Sequence, residues 1–228
     1  MLPANEIHLW LLEVEQDNPI HDATGEALLS TEELARAARF RFPADRRLYR
    51  VSHAFLRETL GSYLNRPPAE LEFIAGSHGR PELISGELRF NLTHTKGFTA
   101  CVITATADCG VDAEPIDRRA DRELVAKNVF TEEERATIGA RAESLRAKQF
   151  FQFWTLKEAY IKARGLGLSL PLKEISFNVS GPEPTVTLGP RIADDPAPWR
   201  FWSGMASTHH HYGVAVKSST PMNLRIYR

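Results

Sequence analysis

Three carboxylates and an ammonium that can converge, Asp112, Glu114, Glu158 and Lys162, stand in two short stretches of this 228-residue chain. Gly110-Val111-Asp112-Ala113-Glu114 has the composition of a strand, and Phe153-Trp154-Thr155-Leu156-Lys157-Glu158-Ala159-Tyr160-Ile161-Lys162 that of a helix. Side chains alternate along a strand, so Asp112 and Glu114 point to one face. Glu158 and Lys162 are four apart on a helix and also share a face, with Trp154 one turn earlier. Brought together, such groups suit a hard cation and a phosphate. Mg²⁺ takes carboxylate oxygens and keeps substrate phosphates among its remaining ligands. Each stretch alone has a plainer reading. Asp-x-Glu is an ordinary solvated strand end, and Glu158–Lys162 an ordinary surface helix pair worth ~0.3 kcal/mol.

A second candidate is basic. Seven arginines and one acid, Asp45, lie between Arg36 and Arg57. The default reading of such a run is a solvated face. Arg46, Arg47 and Arg50 nevertheless open a long helix, where free backbone N–H groups add donors for an anion. His209-His210-His211 is read as a surface loop before a strand at Tyr212–Lys217, because neither cysteines nor a carboxylate cluster accompany it.

The elements that must position these groups follow from periodicity and punctuation. A first strand runs over Ile7–Val14. Ser30 caps a helix, with Glu33 completing a capping box. A longer helix covers Asp45 to Leu64, where Leu48, Val51, Phe55, Leu56, Leu60 and Leu64 form one face. Strands follow at Leu71–Ile74 and, after a turn at Asn91–His94, at Phe98–Thr104. A new strand opens at Cys109–Ala113, then helices at Arg122–Val129 and from Thr131, then a long helix from Ala147 to Arg164 that Gly165 and Gly167 end. Strands at Ile175–Val179, Thr185–Leu188, Arg200–Met205 and Tyr212–Val216 complete the chain, with five prolines between Pro182 and Pro198 marking loops. Strand, capped helix, long helix and hairpin strands occur twice. This order predicts two similar α/β halves, 1–107 and 108–228.

Composition sets the outer bounds. Apolar residues are 43% and charged residues 25%, and the formal net charge is −1. That balance favours neither nucleic acid nor a membrane surface as partner. No apolar run approaches the length of a membrane span. The N-terminal stretch Met1 to Glu15 reads as a strand and not as a signal peptide. Two cysteines, Cys101 and Cys109, do not make a disulfide framework and point to a reducing cytoplasm.

The two motifs, taken in order and spacing, resemble those of the Sfp-type 4′-phosphopantetheinyl transferases, enzymes that activate acyl and peptidyl carrier proteins. Their pattern runs Gly-(Val/Ile)-Asp-(Ile/Val)-Glu, then about forty residues, then Trp-x-x-Lys-Glu-(Ala/Ser)-x-x-Lys. Ala113 departs from the usual larger aliphatic residue. Phe90-Asn91-Leu92-Thr93-His94 is similar to the family's Phe-Asn-x-Ser-His, with Thr93 keeping the hydroxyl. Gly79-Arg80-Pro81 and the glycine-rich exit Gly165-Leu166-Gly167-Leu168-Ser169-Leu170-Pro171-Leu172 extend the resemblance.

The resemblance implies an α/β (α+β) fold of two pseudo-symmetric halves, each a small, mostly antiparallel sheet packed with helices, with the active site in the cleft between them. It implies a monomeric, Mg²⁺-dependent transferase that moves 4′-phosphopantetheine from coenzyme A to a serine of an apo acyl or peptidyl carrier protein. Asp112, Glu114 and Glu158 are then the metal ligands, and Glu158, Lys162 and Asp112 the catalytic set. Arg46, Arg47, Arg50, Arg80, Thr93, His94 and Lys162 are the expected contacts to coenzyme A. Glu158 has two open roles, third ligand or general base. Glu134 is either a further acidic site residue or a charge in a helical first turn, and Lys157 is expected to face the carrier protein or solvent. Two other readings of the residues stand beside this one. One is a different Mg²⁺-dependent nucleotide phosphoryl-transfer enzyme or hydrolase, although the chain lacks a Walker-type loop. The other is a coenzyme A or carrier-protein binding module without catalysis.

Overall fold

The computed structural model describes residues 2–14, 25–76, 79–118, 122–167 and 170–228. Met1 and Glu15 of the first stretch, and Leu168 and Ser169 of the glycine-rich exit, lie outside the described residues.

Alternation in Glu6–Glu13 (β1) buries Ile7, Leu9 and Leu11 on one face. The strand pairs antiparallel with Phe98–Thr104 (β5), which is buried along its whole length and so is covered on both faces. Arg89–Thr95 (β4) adds antiparallel on the far side of β5. The expected turn at Asn91–His94 is therefore strand. The actual turn is Lys96-Gly97, where Gly97 takes φ +74, a conformation a Cβ would strain. Two helices pack with this sheet. Thr31–Ala38 (α1) begins at the Ser30–Glu33 capping box. Pro43–Leu64 (α2) begins two residues before the expected start, with proline in its first turn, and ends at Asn65 in the left-handed region. Phe73–Ala75 (β2) and Pro81–Leu83 (β3) form a small hairpin beside them.

The second half opens with Cys109–Pro115 (β6), followed by Arg122–Val129 (α3), Glu132–Gly139 (α4) and Glu143–Arg164 (α5). Ile175–Asn178 (β7) and Thr185–Leu188 (β8) make a hairpin. Trp199–Met205 (β9) and His210–Lys217 (β10) complete a three-stranded antiparallel sheet of order β6-β10-β9. α5 lies directly on this sheet because two glycines permit it. A Cβ on Gly110 would stand 2.1 Å from the Ala159 carbonyl oxygen, and one on Gly213 would stand 2.5 Å from that of Thr155.

The α+β architecture and the repeated element order match expectation. The division at 107/108 does not coincide with the sheets. Asn223–Tyr227 (β11), which the sequence reading missed, pairs in parallel with β1, so the first sheet has the order β11-β1-β5-β4. Tyr227 stacks on Trp10 at 4.5 Å and Arg225 pairs with Glu6 at 2.8 Å. These contacts cover an otherwise open edge of β1. The histidine run also departs from its loop assignment. His210 and His211 begin β10 and are buried. His210 stacks on Phe98 at 4.7 Å and its Nε2 donates to the Lys96 carbonyl at 3.0 Å, joining the two halves.

Candidate active site

Strand β4 of the first half runs beside β6 of the second. Its alternate residues 91, 93 and 95 share a face, and each reaches across. The Asn91 side-chain carbonyl accepts from the Val111 N–H at 2.9 Å. The Thr93 hydroxyl donates to Asp112 Oδ1 at 3.3 Å, and that of Thr95 to Glu114 Oε2 at 3.5 Å. From α5, Lys162 Nζ donates to Asp112 Oδ1 at 2.6 Å and to Thr93 Oγ1 at 3.0 Å. Thr93, Asp112 and Lys162 thus form a closed triangle drawn from three elements and both halves.

The carboxylates here crowd together and are incompletely partnered. Asp112 is buried, and its Oδ2 has no hydrogen-bond partner. Burial and the Asp112 charge raise the Glu114 carboxyl, against the Arg118 guanidinium at 2.9 Å and the Trp154 indole. Burial, then Asp112, push the Glu158 carboxyl up to about 7, with Glu114 adding to the rise and Lys162 opposing it. Among the described residues, no three His, Cys, Asp or Glu side chains stand close enough together to hold a metal ion by themselves. Asp112, Glu114 and Glu158 are therefore not a preformed cage. The donor set still fits Mg²⁺ in its usual mode, one or two carboxylates with phosphate oxygens completing the shell. The orphaned Asp112 Oδ2 is the observation that supports this.

The basic side of the site differs from expectation. A cleft of about 760 Å³ in the first half is lined by Arg36, Tyr49, His53, Arg57, Phe73 and His94, among others. His94, open to this cleft, is held down at about 4 by lost solvation and by the His53, Lys162 and Arg36 charges, so it is neutral at pH 7. Arg46, Arg47, Arg50 and Arg80 do not line the cleft. Arg46 donates to the Phe40 carbonyl at 3.2 Å and Arg50 pairs with Glu26. Arg47 is half-buried in the first turns of α2. Arg80 donates to the Lys162 and Ala163 carbonyls and, at 2.8 Å, to that of Phe90. A guanidinium on the last carbonyls of a helix is a C-terminal cap that also suits the helix dipole. Of the two arginines that line the cleft, the one outside α2 is Arg36, from α1. The sequence reading counted it within the basic run and did not single it out. Arg57 also lines the cleft, but it is spent on Glu33 at 2.8 Å. Burial would raise Glu33, yet His53, the Ser30 N–H and Arg57 bring it down to about 2.

One further residue departs from expectation and another is settled between its two readings. Lys157 faces neither solvent nor a partner protein. It is fully buried and pairs with Glu134 at 2.7 Å, because its position about 100° round the helix from Glu158 turns it toward α3 and α4. Burial lowers the Lys157 ammonium and Glu134 opposes that shift. Glu134 is accordingly a charge in the first turn of α4, the capping-box partner of Thr131, turned inward as an ion-pair partner and not part of the carboxylate cluster.

A second cleft, of about 610 Å³, lies between α3, α4 and α5. Arg122, Lys127, Arg135 and Arg146 stand at it, with Ile138 and Phe150 adding apolar surface.

A model of the 4′-phosphopantetheinyl transferase superfamily matches residues 108–216. The chain is 36% identical over 188 residues to the 4′-phosphopantetheinyl transferase HetI of Nostoc sp., a match covering 80% of this chain and 78% of that protein. It is 31% identical over 194 residues to a phosphopantetheinyl transferase of Thraustochytrium sp., covering 78% and 67%. A crystal structure of Thermotoga maritima holo-[acyl-carrier-protein] synthase overlaps half of the chain and 66% of that protein, with 18% identity and a TM-score of 0.41.

Proposed function

The chain belongs to the 4′-phosphopantetheinyl transferase superfamily, and from that premise we propose that it transfers 4′-phosphopantetheine from coenzyme A to a serine of an apo acyl or peptidyl carrier protein. The serine oxygen forms a bond to the phosphorus that bears pantetheine. The bond from that phosphorus to the nucleotide breaks, and adenosine 3′,5′-bisphosphate leaves. In such a transfer the protein positions the groups and stabilises charge.

The carrying observation is the triangle of Thr93, Asp112 and Lys162 between the halves, with Glu158 poised at about 7 beside it. Lys162 offers its ammonium to a pyrophosphate oxygen, and Thr93 holds that ammonium in place. Glu158 at this pKa can take the serine proton near neutral pH. Asp112, Glu114 and Glu158 are the residues that would hold Mg²⁺, which neutralises charge building on the leaving group. A bound cation would draw the Glu158 carboxyl down, which supports its ligand role. The pH profile with and without Mg²⁺ therefore separates the two roles. The cleft lined by Arg36, His53, Tyr49 and His94 suits the nucleotide end of coenzyme A, with Arg36 toward the 3′-phosphate.

The second cleft, where four cations outnumber Glu123 and Glu143, suits an acidic carrier-protein surface by charge. Ala147, which lines it, stands eleven residues before Glu158, or roughly 16 Å along α5 and within about 20° of the same face. In the same reading one chain is the working unit and the cytoplasm its compartment; both cysteines are buried free thiols. No helix among the described residues is long and apolar enough to cross a membrane.

Incubation with coenzyme A, Mg²⁺ and an apo carrier protein tests the proposal. The expected result is a carrier mass gain of one phosphopantetheine. Release of nucleotide without carrier mass gain would point to a hydrolase, and binding without either would point to a non-catalytic module.

A further inference from the structure

The chemistry proposed above gives Lys157 no task, yet it is among the most completely buried side chains of the second half. Its ammonium has three donors, and all three are used. One goes to Glu134 Oε2 at 2.7 Å, one to the Val129 carbonyl at 2.9 Å and one to that of Leu172 at 3.0 Å. Glu134 is equally occupied. Its Oε2 also accepts from the Thr131 N–H at 2.9 Å, closing the capping box of α4, and its Oε1 accepts from the Phe177 N–H at 2.9 Å. One ion pair therefore joins α5 to the end of α3, the start of α4, the turn at Leu172–Glu174 and β7.

The residue next along α5 from Lys157 is Glu158. Apolar packing around the helix, from Phe130, Phe151 and Phe153, is non-directional. The glycine contacts at Gly110 and Gly213 set how close α5 lies to the sheet, and Arg80 holds its last turn. Gln152 to Ser203, Thr155 to His211, Tyr160 to Asp194 and Lys162 to Asp112 also tie α5 directionally, but in the turn around Glu158 only Lys157 binds three partners on three other elements. A side chain reaches roughly 5–6 Å from the helix axis, so a rotation of about 10° moves its end by about 1 Å. A misplacement of about 1 Å can cost roughly a hundredfold in rate.

We propose that the Lys157–Glu134 pair is a rotational pin for α5, a pair of positioning residues that aim Glu158 and Lys162 at Asp112 without touching either substrate. The inference rests on the transferase reading above, so transfer by the wild-type enzyme is measured first. If the wild type transfers nothing, the reading itself fails and the pin is tested only by structure.

The main variant is the neutral pair Lys157→Met with Glu134→Gln. It removes both charges together and leaves no unpaired ion in the interior, a change that often preserves or raises stability. Gln still serves at the third position of a capping box. The expected result is a folded protein with a thermal midpoint near that of the wild type. Its kcat falls ten- to a hundredfold, while KM for coenzyme A stays within about twofold. A purely structural pair would move the midpoint and leave kcat per folded molecule unchanged, which would overturn the proposal. If the double variant does not fold, Glu134→Gln alone replaces it under the same criteria. Its lowered kcat at constant KM supports the pin, and an unchanged kcat overturns it. For either folded variant, or for one made in an inactive wild-type background, a crystal structure supplies the readout independent of activity. The Glu158 carboxylate should be displaced from its wild-type position, and its staying in place overturns the pin.

Discussion

The two halves treat their charges in opposite ways. In the first half, cations and anions are matched: Arg57 with Glu33, Arg50 with Glu26, and Arg80 against helix carbonyls. Glu33 is drawn down to about 2 as a result. In the second half, carboxylates crowd together with too few partners. Asp112 keeps an orphaned oxygen, and Glu114 and Glu158 are both raised. Paired charges hold a fold together. Crowded, poorly paired ones lie where a ligand is meant to complete the balance, as expected of groups tuned for chemistry. The Lys157–Glu134 pair shows that the second half can satisfy a buried carboxylate fully when the task is structural.

The sharpest way to break this contrast is to remove the crowded charge. Asp112→Ala should abolish most transfer, on the order of a thousandfold, since cation stabilisation at such sites is worth several kcal/mol. The mass-gain assay over a range of Mg²⁺ concentrations checks it, and near-normal turnover by the variant, or by the wild type with Mg²⁺ chelated, would remove the metal assignment. Glu158→Gln should lower kcat by about a hundredfold or more in either of its roles, read by steady-state kinetics at saturating coenzyme A.

The same substitution should have the opposite effect on stability. A carboxyl raised from 4.5 to about 7 in the folded state binds more protons folded than unfolded. Its contribution is therefore undiminished below about 4.5 and lost as pH rises through about 7. At pH 8 the lost stability is a few kcal/mol at most. Glu158→Gln should accordingly melt above the wild type at pH 8 and level with it near pH 4.5. Melts of both proteins across that window, without Mg²⁺, test this; parallel curves would mean that Glu158 is not strained by its neighbours.

The smallest expected effect belongs to the first half. Arg36→Ala should narrow the preference for coenzyme A over its 3′-dephospho form by roughly ten- to a hundredfold, the worth of a charge-assisted contact. Arg46→Ala, Arg47→Ala and Arg50→Ala should each change it less. Titration calorimetry with both donors ranks the four. A larger loss at Arg46, Arg47 or Arg50 would return the phosphate to the start of α2.

What could be read from the sequence divides along a physical line. Local signals were legible. The Ser30–Glu33 and Thr131–Glu134 capping boxes form, and the spacing of Asp112, Glu158 and Lys162 does bring these residues together. Choices of partner over long range were not legible. Nothing near Lys157 announces Glu134, and nothing near Arg80 announces the last carbonyls of α5. Arg36 and Arg46 look alike as sequence and differ only in which helix turns them to the cleft. His210 and His211 read as a loop because no cysteine or carboxylate cluster accompanies them, and the stacking and carbonyl partners of His210 lie far off in sequence. Asn91–His94 read as a turn because asparagine is a turn residue, whereas Asn91 is spent on the Val111 amide.

The parallel pairing of β11 with β1 has a consequence for the order of assembly. During synthesis the first half emerges first, yet Glu6 cannot find its partner until Asn223 has left the ribosome. Until then one edge of β1 offers its N–H and C=O groups to any passing strand. The nascent first half is thus exposed to aggregation for as long as the second half takes to be made. The pairing that ends this exposure lies far in sequence from every residue that does chemistry.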